Sequence, residues 1–152
     1  MNLNSLSTTN VILEHDKIQP LPTLLTKNLN LLHFQDSCGS GRTCKIILTS
    51  LEESFADIIK LASVTVVFAE DAFDRNNPPK TQIRRVAMSK STMRDLDLLD
   101  EEGYVRRLSM ILDSHGNVLA VLPVLGDEDL QSHIQLIVLP ELRRLSADQT
   151  FS

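Results

Sequence analysis

"YVRRLSMILDSHGNVLAVLPVL", residues 104–125, reads as a β-hairpin: two apolar arms joined by "DSHGN", where Gly116 and Asn117 supply the turn chemistry. The arms are expected at 105–112 and 118–125, paired antiparallel. Side chains alternate along a strand, so Val105, Arg107, Ser109 and Ile111 share one face. Arg106, Leu108, Met110 and Leu112 share the other. The second arm is apolar on both faces, which predicts cover on both sides, and Pro123 places it at an edge or a bulge. One of two adjacent arginines is therefore held near a core. Arg107, beside the small hydroxyl of Ser109, suits a lined cavity better than Arg106, beside bulky Leu108 and Met110. A buried guanidinium wants a carboxylate, from the protein or from a ligand. The plainer alternative is an exposed strand start, with both arginines paired to Asp100, Glu101 or Glu102.

Working outward, "DEDLQSHIQLIVLPELRRL" reads as a helix with acids at its start and Arg143 and Arg144 at its end, kinked at Pro140. Before the hairpin, "KSTMRDLDLLDEEG" reads as a short helix starting near Ser91 or Thr92 and ending at Gly103. "TQIRRVAMS" and "SVTVVFAE" read as strands. "TSLEESFADIIKLA" has a capping box, Ser50 with Glu53, and an apolar face of Leu51, Phe55, Ile58, Ile59 and Ala62. "CKIIL" reads as a short strand, "QDSCGSGRT" as a loop and "VILEHDKI" as an edge strand. "QPLPTLLTKNLNLLHF" reads as a helix behind Pro20 and Pro22. This order predicts one α+β domain over residues 1–152, a mainly antiparallel sheet with packed helices, and a flexible segment at 1–10.

Composition narrows the functional classes. The chain has 152 residues, 42% hydrophobic and 23% charged, as in ordinary globular proteins. A net charge of −5 disfavours nucleic acid or membrane phosphates as partners, and the absence of Trp with one Tyr argues against base stacking. No run of apolar residues is long enough to span a membrane, and the N-terminus lacks a secretory pattern, so a cytoplasmic protein is expected. Cys38 and Cys44 have neither zinc nor redox spacing and are expected to be free thiols in a loop.

Metal and cofactor chemistry finds no motif. His15, His33, His115 and His133 are scattered and are expected to face solvent rather than a metal. "CGSGRT" is not a phosphate loop, since Arg42-Thr43 is read as preceding a strand. No nucleophile elbow is present, and Asp127, Glu128 and Asp129 look like helix N-terminal charge. No catalytic residue, cofactor or metal is assigned.

Two segments, "KIILTSLEESFADIIKLASVTVVFAEDAF" and "DLDLLDEEGYVRRLSMILDSHGNVLAVLPVL", resemble the chorismate lyase family in element order and hydrophobic pattern over about half of the chain. The resemblance implies a chorismate-lyase-like fold and a site for a small aromatic acid. Its carboxylate would be gripped by Arg107, or by Arg106 if the register moves by one, with Ser109 beside it. It implies either a carbon–oxygen lyase acting on chorismate or a relative that only binds. An alternative is an acidic adaptor: secretion chaperones are similar in size, charge and hairpin–helix ending, and work as homodimers without catalysis.

Overall fold

A computed structural model describes residues 6–13, 17–35, 42–70, 82–124 and 132–150. Seven strands form one sheet: β1 (Asn10–Ile12), β2 (Ile18–Pro20), β3 (Asn30–Gln35), β4 (Ser63–Ala69), β5 (Arg84–Met88), β6 (Leu108–Leu112) and β7 (Val118–Pro123). Their order is β2-β1-β5-β4-β3-β6-β7. The three central strands β5, β4 and β3 run parallel, and the remaining pairs are antiparallel. The mainly antiparallel sheet expected from the sequence is therefore wrong at its centre. Parallel strands need a crossover, and α1 (Arg42–Glu53) with α2 (Phe55–Ile59) supplies it between β3 and β4.

Two elements were misread on the way into that crossover. β3 is a strand, not a helix: all six of its residues are buried, so leucines at helical spacing lie on both faces of a sheet. Its start is pinned by Asn30, whose amide donates to the Lys27 carbonyl at 2.8 Å while its oxygen accepts from the Ser63 hydroxyl at 2.6 Å. The expected strand "CKIIL" is the body of α1, where Ile47 and Leu51, four apart, are fully buried against the sheet. Ser50 is consequently a buried interior residue and not a cap. Phe55 and Ile58 pack on the same core, whereas Ile59 is 38% exposed and was wrongly placed there.

α3 (Lys90–Asp95) is capped by Ser89, whose hydroxyl accepts from the Thr92 N–H, rather than by Ser91 or Thr92. It closes at Asp97, in the left-handed region at φ 57°, with the Leu98 N–H reaching back to the Met93 carbonyl at 2.8 Å. Gly103 serves the later turn at Asp100–Tyr104 instead. The last helical segment begins as a π-helical turn, His133–Val138, and becomes regular in α4 (Leu139–Thr150). Pro140, which has no N–H to give, falls where the ladder changes period.

The hairpin is present and shorter than expected. β6 starts at Leu108 and pairs β7 through the Asp113–Asn117 turn, with a bulge opposite Ile111/Leu112. Asp113 Oδ1 accepts from the N–H groups of His115 and Asn117, both at 2.9 Å. Burial works against the Asp113 charge, but these bonds and that from the Asn117 amide outweigh it and lower its pKa. Arg106 and Arg107 lie before the strand, and Val105, in a bridge to Leu99, joins the core of Leu108 and Met110 and not that of Ile111.

Each sheet face buries a core. One carries Leu32, Phe34, Val67, Val86 and Met110 against Leu21, Leu24 and Met93. The other carries Leu31, Val66, Phe68 and Ile111 against α1, α2, the π turn and α4. No described helix is long and apolar enough to cross a membrane.

Candidate functional site

On the helix-covered face the apolar core gives way to polar side chains towards the C-terminal end of β3. His33 pairs across with Ser109 of β6, and Phe34 with Leu108. Beyond the end of this pairing, the Arg107 carbonyl accepts from the Val124 N–H at 3.0 Å. His33, Gln35 and Ser109 are fully buried, and so is His133, brought down onto them by the first residue of the π turn.

Three of these side chains form one hydrogen-bonded chain. His33 Nδ1 meets the Ser109 hydroxyl at 2.9 Å, and the same hydroxyl meets His133 Nε2 at 2.9 Å. The rings lie 6.1 Å apart, tilted by 53°. His33 is held neutral: its pKa falls to about 3, chiefly through burial, then through His133, with Arg107 adding to the same effect. Gln35 pulls the other way, more strongly than Arg107 acts, and His33 Nε2 meets no partner in hydrogen-bonding geometry among the described residues.

Of the residues singled out from sequence, Ser109 lies within this hydrogen-bonded chain, while Arg107 comes just before the start of β6. Arg107 is half-buried and its charge is felt at His33. Arg106 is exposed and turned away, its Nε donating to the Leu99 carbonyl at 3.2 Å. Both arginines border a surface cleft of about 490 Å³ that also takes in Asp97, Asp100, Val121 and Val124. The expectation that the histidines face solvent fails at His33 and His133, while His115 is indeed exposed; His15 lies outside the described residues. No group of three or more metal-ligating side chains occurs among the described residues.

Cys44 stands in the first turn of α1, not in a loop or strand, and Cys38 lies outside the described residues. Arg42 and Thr43 open a helix, so the reason given for dismissing a phosphate loop was wrong, although the chain still lacks its Gly-Lys pair. A sequence signal for this arrangement existed: a histidine and a glutamine on one face of an apolar strand, followed by glycines and a cysteine.

No model of a known protein family matches the chain, and no curated protein matches it. Solved structures do. A peroxiredoxin Q from Xanthomonas campestris superposes with a TM-score of 0.69 at 13% identity, covering 93% of this chain and 94% of that one. A cysteine-to-serine variant of Xylella fastidiosa PrxQ gives 0.67 at 11% identity, over 94% and 92%. Plasmodium yoelii thioredoxin peroxidase I gives 0.64 at 14%, over 94% and 88%. The fold is the thioredoxin-like fold of the peroxiredoxins.

This likeness overturns the resemblance to chorismate lyases, whose expected antiparallel sheet is replaced by the parallel centre β5-β4-β3. With it go the lyase activity, the aromatic-acid ligand and the secretion-chaperone-like adaptor.

Proposed function

We propose that this protein is a thiol peroxidase in which Cys44 reduces a hydroperoxide. The observation that carries the reading is the placement of Cys44 in the first turn of a twelve-residue helix, packed on the sheet face where Ser109 meets His33 and His133. A helix N-terminus favours the thiolate, which is the reactive form. Support also comes from the fold likeness to a thioredoxin peroxidase and to a Xanthomonas campestris protein whose alkyl peroxide reduction is described.

In this reading the Cys44 thiolate attacks the distal peroxide oxygen, the O–O bond breaks, and the departing alkoxide takes up a proton as the alcohol. The sulfenic acid left on sulfur returns to thiol at the expense of two external thiols, giving a disulfide and water. Arg107 stabilises negative charge on the thiolate and on the leaving oxygen.

The test is consumption of hydrogen peroxide and of tert-butyl hydroperoxide by the full chain with dithiothreitol as reductant. Cys44→Ser should abolish it, while Cys38→Ser should retain the first oxidation of Cys44, seen by sulfenate trapping and mass spectrometry. Arg107→Lys should slow that oxidation by about tenfold or more, because an ammonium does not reproduce the planar fork. Undiminished turnover in Cys44→Ser, or none in the unaltered protein, ends the proposal.

A further inference from the structure

We infer that the buried His33–Ser109–His133 chain is a neutral proton relay serving the end of β3, with His33 Nε2 and His133 Nδ1, both buried, as its two ends. The inference rests on the peroxide reading for what is served, and on geometry alone for the relay.

Ser109 has one hydroxyl proton and two lone pairs. It is fully buried, and its only partners among the described residues are the two imidazoles, each at 2.9 Å. One proton must therefore satisfy one ring as donor, while the other ring donates back. His33 presents Nδ1 and His133 presents Nε2, opposite nitrogens of the ring. The consequence is specific: both rings carry their proton on Nδ1, or both carry it on Nε2. Mixed tautomers leave Ser109 short of a donor or an acceptor.

Interconversion of these two states moves one proton through the chain. Starting with both rings protonated on Nε2, His33 gives its Nε2 proton to the departing alkoxide. Ser109 passes its proton to His33 Nδ1 and receives the Nε2 proton of His133. His133 then takes a replacement proton from water on Nδ1, a buried atom with no hydrogen bond among the described residues. The rings end protonated on Nδ1, and both states are uncharged. Neutrality suits the site, because burial, His133 and Arg107 all disfavour a cation on His33. His33 Nε2 is open to its acceptor: it is buried and has no hydrogen bond among the described residues. Ser109 and His133 are thus positioning and relay groups acting through His33.

The experiment is long-range 1H–15N NMR of the ¹⁵N-labelled full chain at neutral pH, combined with the rate of Cys44 oxidation by hydrogen peroxide. Same-tautomer rings in the unaltered protein support the relay, and opposite tautomers or an imidazolium at either ring overturn it. Ser109→Ala should break the tautomer match and slow oxidation by about tenfold or more, within the range a positioned proton-transfer group supplies. Ser109→Thr, which keeps the hydroxyl, should restore the match and most of the rate. Equal rates for Ala and Thr would overturn the relay. If Cys44 does not react in the unaltered protein, the peroxide reading falls, and the tautomers still decide the chain by themselves.

Discussion

His33 and Phe34 are neighbours on one central strand and look into opposite halves of the molecule. Phe34 enters a core built of aliphatic side chains, with Leu32, Val67 and Met110 around it. His33 enters a core of the same helix-and-sheet build, yet there it meets a serine, a second histidine and the field of an arginine. Both faces are equally dry. Burying polar groups costs free energy unless they are bonded, so a face that keeps them is organised for something other than stability.

The contrast predicts opposite responses to acid. The unfolded chain binds a proton on this imidazole near 6.5, whereas the folded one resists until about 3. Between those values the unfolded state holds more protons, so stability falls as pH falls, by as much as roughly 5 kcal/mol in the acid limit. Chemical denaturation of the parent and of His33→Leu from pH 7 to 4 should show a shallower loss in the variant. Parallel curves would mean that His33 is not held neutral by the fold.

Phe34→Ala should lower stability by about 3–5 kcal/mol with little dependence on pH, as a cavity in a dry core does. A loss below about 1 kcal/mol in urea unfolding would erase the distinction between the faces. The smallest effect is expected away from both cores. Gly116 sits at φ +87°, and a Cβ there would meet nothing nearer than Leu25 at 3.8 Å. Gly116→Ala should cost about 1 kcal/mol, from backbone conformation alone. An unchanged melting temperature would show that the turn relaxes to another form.

How much of this could be read from the sequence depends on how local the cause is. The β6–β7 pairing is written into alternation and a five-residue turn, whereas parity counted from Val105 fails because the strand begins only at Leu108. β4 is marked by its β-branched run. β3 and α1 were exchanged in character because a short strand buried on both faces shows no alternation of polarity. The histidine pair was illegible for a different reason: 76 residues separate His33 from Ser109, and 24 separate Ser109 from His133. Only the antiparallel β3–β6 pairing and the π turn packed over it, neither specified by local pattern, bring them together.

The strand register also orders events in time. β1 with β2 and β6 with β7 are closed by short connections, while β3 joins β6 across most of the chain, as Asn30 opposite Leu112 illustrates. Long loops close at a greater entropic cost and are rewarded only after closure, so the hairpins should form early and the β3–β6 seam late. The His33–Ser109 bond lies on that seam. Amide protons of β3 should therefore gain protection in the slowest refolding phase, and the candidate site should exist only in molecules that have completed it.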